Sequence, residues 1–121
     1  ATLAQVNCPW VNIHAGITPA YRGTHGAYWA LYHRDLVNCG VTVHLVDQGI
    51  DTGSILAQKR IEPQRGDNFV TYPWIQLGEG LRLLQQLLTD WPQPTRSEGR
   101  SALYHHPTIG QYLSGCARGV F

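Results

Sequence analysis

Hydrophobic and polar positions alternate most cleanly between Val41 and Val46. Val41, Val43 and Leu45 fall on one side of an extended chain, and Thr42, His44 and Val46 on the other. This is the clearest strand in the sequence. A shorter β-branched run from Pro9 to Ile13 predicts a buried strand that ends at His14, whereas residues 1–8 show no period. Two glycines and a proline make residues 15–24 a loop. Thr24 is placed to cap a helix running from His25 to about Leu36, whose apolar content is Ala27, Trp29, Ala30, Leu31 and Tyr32, with Gly40 closing it.

After the second strand, the turn Asp47-Gln48-Gly49-Ile50-Asp51-Thr52-Gly53 leads into a β-like run over residues 54–61. The connection is short, so this run is predicted antiparallel to its predecessor, and Pro63 ends it. Asp67 is a candidate cap for a helix through Trp74 and Leu77 to Trp91, which Pro73 and Gly78-Glu79-Gly80 should kink or split. Leu81, Leu84, Leu87 and Leu88 form a helical stripe assigned to the core. Residues 92–102 read as a polar surface loop, and a short helix is expected around Ile109 to Leu113. Tyr28 and Trp29 are assigned to packing on the sheet, and His105-His106 to the surface.

Composition narrows the class. With 43% hydrophobic residues in 121, the chain is read as one globular domain, a motif core over 9–61 followed by a helical remainder over 67–121. Nine basic and eight acidic residues form no stripe long enough to track a phosphate backbone, so nucleic acid is not the default partner. Cys8, Cys39 and Cys116 are odd in number and include no C-x-x-C pair, which predicts reduced thiols and a cytoplasmic setting. No apolar run approaches the roughly 20 residues that cross a bilayer. The absence of methionine makes position 1 either a processed terminus or an internal cut.

A strand, a helix and a second strand predict a right-handed β-α-β unit with the two strands parallel. Their carboxyl ends would then share one sheet edge, bringing Asn12 and His14 from the first strand toward His44 and Asp51 from the second and its turn. These residue types suit acyl transfer to an amine. An asparagine amide donates to a developing oxyanion, a histidine donates to the same oxygen or shuttles a proton, and an aspartate holds the imidazole or a water. None of the cysteines lies in either segment, which disfavours a covalent acyl-enzyme.

Taken together, these residues resemble the signature of the folate-dependent formyltransferases, which include glycinamide ribonucleotide, methionyl-tRNA and amino-sugar N-formyltransferases. The matching elements are Asn12-Ile13-His14, Ile17-Thr18-Pro19-Ala20-Tyr21-Arg22-Gly23, Gly40-Val41-Thr42-Val43 and Asp47 to Gly53, in family order. Ala15-Gly16 departs from the family's Pro-Ser. The resemblance implies an α/β, Rossmann-like mixed sheet with flanking helices, and formyl transfer from 10-formyltetrahydrofolate to a small-molecule primary amine. Asn12 and His14 would polarise the formyl oxygen, and Asp51 would assist proton transfer. Asp47, Gln48, Gly49 and Ile50 would line the pterin pocket, His44 would stand behind the triad or on the substrate side, and His25 and Arg22 would be neighbours on the loop. The family places a further β-α-β half before the Asn-Ile-His strand. Its absence here predicts either a fragment of a longer protein or a short protein whose sheet is completed by a second copy or a partner chain, with weak turnover from a monomer.

Plainer roles stand beside these. Asn12 and His14 can be strand-end polar groups, Asp51 turn chemistry, and Arg22 a loop anchor before an anion ligand. Three other functions stay open: hydrolysis of the formyl donor, a non-catalytic oligomerising or ligand-binding remnant, and a zinc site from His14, His25 and His44. The last lacks the usual helical ligand spacing and leaves Asn12 without a role.

Overall fold

A computed structural model describes residues 5–121. Its centre is a three-stranded sheet of β1 (Val11–His14), β3 (Gly40–Leu45) and β4 (Ile55–Arg60), in the order β1-β3-β4. Between β1 and β3 lie a two-residue strand β2 (Arg22–Gly23), helix α1 (Gly26–Tyr32) and a single 3-10 turn, Leu36–Asn38. Helix α2 (Tyr72–Thr89), strand β5 (Leu103–Tyr104) and helix α3 (Ile109–Ala117) complete the described chain.

The β1–β3 pairing corrects the parallel β-α-β expectation. The strands are antiparallel, with Asn12 opposite His44 and His14 opposite Thr42. The segment between them reverses within a loop and two turns of helix rather than making a crossover over the sheet. β3 and β4 are antiparallel, as the short turn predicts. At Val43 and His44 the β4 register skips a residue, so a bulge lies beside His44.

The alternation in β3 separates two faces as read from the sequence. Val43 packs with Leu56 and Leu87, flanked by Val11, Ile13, Leu45, Leu83 and Leu84. α2 covers this face closely, since a side chain at Gly80 would strike Ile13 Cγ2 and approach Val41 Cγ2. The helix is not split. Pro73 occupies the first turn, where its missing N–H has no intrahelical partner to lose, and Thr71, not Asp67, is the N-cap. The leucine stripe needs correction too. Tyr72, Gln76, Gly80 and Leu87 face inward, whereas Leu81 is 52% and Leu88 75% exposed. With Trp74 and Leu77 they form an apolar seam on the outer side of the helix.

α1 is shorter than predicted at both ends. His25, at φ 57°, is the N-cap in place of Thr24. The helix closes when Arg34 N–H bonds Leu31 O and Asp35 N–H bonds Ala30 O, with Arg34 at φ 59°. This is a Schellman ending without the glycine that usually announces it, so the apolar pattern ran on to Leu36 in the sequence. Gly40 opens β3 instead of closing the helix.

Tyr28 and Trp29 are buried, in a second core with Tyr21, Cys39, Ile61 and Tyr72. The tail locks this core to the front loop: β5 pairs in parallel with β2, and Trp29 Nε1–H donates to His105 O at 2.9 Å. α3 extends past the predicted Leu113 to Ala117. It starts at a capping box in which Thr108 Oγ1 accepts from Gln111 N–H and Gln111 Oε1 accepts from Thr108 N–H.

Candidate active site

On the sheet face opposite α2, the β1–β3 register sets four polar side chains side by side. Asn12 and His14 are two apart on β1, and the antiparallel pairing puts His44 beside Asn12 and Thr42 beside His14. His14 is 5% exposed and His44 3%. Asp51 reaches them from the turn after β3. Its Oδ2 accepts from Gly23 N–H at 2.9 Å and lies 3.3 Å from His14 Nδ1, while its Oδ1 lies 3.4 Å from Asn12 Nδ2 and 3.5 Å from His44 Nε2. Asn12, His14, His44 and Asp51 therefore converge, though by adjacent antiparallel strands and a returning turn, not by parallel strand ends.

The turn is built to deliver Asp51. Asp47 Oδ1 accepts from Gly49 N–H at 3.0 Å and Thr52 Oγ1–H at 2.7 Å, closing the turn on itself. Asp51 sits at φ 52°, a conformation that aspartate tolerates better than most residues. A Cβ at Gly53 would run into the Leu45 carbonyl, so only glycine lets the turn rejoin β4 so close to β3. Arg22 holds the turn from outside, Nη1–H donating to Ile50 O and Nε–H to Ser101 Oγ, both at 2.9 Å. Arg22 is thus a loop anchor.

Proton positions follow from the backbone. Tyr21 O can only accept, and it lies 2.7 Å from His14 Nε2, so that nitrogen carries hydrogen. Nδ1 is left facing Asp51 Oδ2. Burial is the largest influence on His14 and pushes its pKa below the ordinary 6.5, while the bond to Tyr21 and the charge of Asp51 pull it back up. A neutral His14 therefore presents a basic Nδ1 beside a carboxylate that stabilises the proton once it arrives.

Thr42, fully buried, fixes the loop under the site. Its Oγ1–H donates to Gly16 O at 2.8 Å, and its oxygen accepts from Thr18 N–H at 3.1 Å and Gln58 Nε2–H at 3.0 Å. Tyr21, Gly23, Thr42, Gln58 and Ser101 are the contributors that sequence reasoning passed over. The first two act through backbone atoms and leave no side-chain signature; Thr42 shared a strand face with His44.

Of the predicted pterin-lining residues, Asp47 borders a cavity of about 700 Å³ with Leu45, Val46, Thr52, Gly53, Ser54, Arg96, Ser97 and Glu98. Gln48, Gly49 and Ile50 are exposed on the turn and do not border it. His25 stands apart from the triad, 2.9 Å from His106 Nδ1 and stacked on Phe69. That separation dissolves the three-histidine zinc set, and among the described residues no group of three histidine, cysteine or acidic side chains is arranged to hold a metal ion. Among the described residues, no helix is long and apolar enough to cross a membrane.

Comparison with known proteins agrees with this architecture. Methionyl-tRNA formyltransferase of Nitratiruptor sp. is 46% identical over 63 residues, 52% of this chain and 20% of that protein. A sugar N-formyltransferase from Shewanella superposes with a TM-score of 0.66 at 24% identity, over 89% of this chain and 50% of its own. The formyltransferase PseJ from Anoxybacillus kamchatkensis, solved with UDP-4,6-dideoxy-4-formamido-L-AltNAc and tetrahydrofolate, superposes with a TM-score of 0.58 at 20% identity, over 78% of this chain and 51% of its own. The chain thus spans about half the length of these solved structures. The formyl transferase pattern itself matches residues 1–72, which include β1, the loop, α1, β3, the Asp51 turn and β4. On that match, the chain belongs to the formyl transferase family.

Proposed function

We propose that the Asn12, His14 and Asp51 cluster transfers a formyl group from 10-formyltetrahydrofolate to a primary amine. The observation that carries this reading is the approach of the three side chains to one another on a sheet face, from two separate segments, with His14 Nδ1 3.3 Å from Asp51. The donor set fits the reagent, since a carboxamide N–H and an imidazole are the groups that polarise a carbonyl oxygen and accept a proton. The folate supplies an electrophilic formyl carbon. A bond forms from the acceptor nitrogen to that carbon, the carbon–nitrogen bond to the folate breaks, and one proton passes from the acceptor nitrogen to the departing one. Asn12 Nδ2–H faces the oxygen as its charge grows. His14 Nδ1 takes the proton and returns it, with Asp51 holding the imidazolium between the two events. Cys39 has no part in it, being 1% exposed with its thiol pushed up to about 11 by burial. Free thiols at Cys8, Cys39 and Cys116 support a reducing, cytoplasmic setting.

The second element of the proposal is that turnover needs more polypeptide along β1, from further sequence of a longer chain, from a second copy or from a partner. β1 carries Asn12 and His14 at the edge of the sheet and is paired only to β3 among the described residues. An unpaired edge strand is a weak platform for groups that must be held within fractions of an ångström.

The test is titration with 5-formyltetrahydrofolate, followed by incubation of 10-formyltetrahydrofolate with amine acceptors and mass detection of formylated amine and formate, across fractions sized by gel filtration. Saturable binding is expected, with turnover concentrated in the assembled fractions and lost in Asn12→Leu. Turnover unaffected by Asn12→Leu, or no binding in any fraction, overturns the assignment. Formate without formylated amine makes water the acceptor.

A further inference from the structure

We infer that His44 is a positioning residue: its imidazole, locked in one tautomer by the backbone, sets which way round the Asn12 carboxamide lies. The inference rests on the proposed formyl-transfer reading only for its kinetic consequence; the orientation itself is fixed by the geometry. His44 Nδ1 lies 2.7 Å from Leu45 O, an atom with no hydrogen to give, so Nδ1 carries a proton; in the neutral ring Nε2, which also lies 3.5 Å from Asp51 Oδ1, presents a lone pair. That lone pair lies 3.1 Å from Asn12 Nδ2. The amide therefore points its N–H₂ at His44, and its second hydrogen at Asp51 Oδ1, 3.4 Å away.

With His44 neutral, the reversed carboxamide is disfavoured at the same distances. Turning it over would set Asn12 Oδ1 against the Nε2 lone pair and against a carboxylate oxygen, replacing two attractions with two repulsions. The bond to His44 is the shorter of the two and lies on a residue 3% exposed. The bond to Asp51 is long and weak, so that hydrogen is the one free to turn to a carbonyl oxygen. His44 holds one N–H so that the other stays aimed.

Two measurements decide it. Nitrogen-15 spectra of the imidazoles in the intact chain are expected to show His44 protonated at Nδ1 and bare at Nε2. The Asn12 side-chain amide signals should move in His44→Leu and return toward their native positions in His44→Gln, whose amide oxygen can replace Nε2 as acceptor. In turnover, His44→Leu lowers kcat about tenfold, the equivalent of roughly 1.4 kcal/mol, with KM for the folate unchanged. His44→Gln recovers most of that loss. A merely structural role would move melting temperature and both kinetic constants together, without rescue by glutamine. A proton found on Nε2, or Asn12 signals indifferent to His44→Leu, overturns the inference. If the native chain transfers no formyl group, the functional proposal fails, and the spectra still decide the role of His44. Should His44→Leu not fold, the tautomer found in the native chain upholds or overturns the inference by itself.

Discussion

Asp51→Asn separates charge from shape at the centre of the site. The side chains are nearly isosteric, asparagine tolerates φ 52° at least as well as aspartate, and one oxygen remains to accept from Gly23 N–H. What disappears is the negative charge 3.3 Å from His14 Nδ1, together with the acceptor that Oδ1 offers Asn12 Nδ2–H. At an effective dielectric of about 20, such a pair interacts by ~5 kcal/mol before desolvation, which sets a ceiling. A loss of about 10²- to 10³-fold in kcat/KM, or roughly 2.7 to 4.1 kcal/mol, lies beneath that ceiling and within the range of acid–base assistance. Because Asp51 pulls the His14 pKa upward against burial, its removal lets that pKa fall further below 6.5. The first assay is therefore a proton NMR titration of the His14 ring in both forms, and the second is formyl transfer at saturating amine. An unchanged His14 titration would sink the electrostatic link between the two residues, and a variant with native turnover would sink their joint role.

Thr42→Val keeps the shape of the side chain and removes three hydrogen bonds at a buried position, so urea unfolding should show a loss of about 2–4 kcal/mol. Two glycines on α2 should respond with opposite signs. Gly78 faces open space, and Gly78→Ala should stabilise by about 1 kcal/mol, whereas Gly80→Ala drives a methyl into Ile13 and should cost about 1–3 kcal/mol before that propensity gain. In a melting series from about pH 8 to about pH 5.5, stability should fall on the acid side. His14, His25 and His33 all have pKa values lowered chiefly by burial, so below 6.5 the unfolded chain takes up protons that the folded chain resists. Their contribution is complete above 6.5 and is lost toward the lower folded values. A flat profile would mean these rings are not desolvated as described.

The elements whose signal is local were legible in the sequence. β3 alternates, so its two faces could be assigned before any partner was known, and Asn12, His14 and Asp51, which the structure brings together, could be singled out because the polar groups of each lie in its side chain. Strand direction was not legible. A helix-bearing connection suggested a crossover, but α1 is only seven residues long and ends at Arg34 by a backbone conformation that no glycine announces. Which leucines of α2 face inward depended on where Gly80 touches the sheet, and the periodicity alone admitted a stripe turned partly outward. Composition located the turn, whereas Arg22 and Ser101, far apart in sequence, decide how it is held.

Among the described residues Asn12 and His14 ride on an edge strand, and that position links two events. Whatever backbone zips onto the open side of β1 also stiffens the peptide units on which both side chains ride, so quaternary or intramolecular completion and chemical competence would arrive together. Activity should then climb more steeply than linearly with protein concentration wherever the completing strand comes from another molecule.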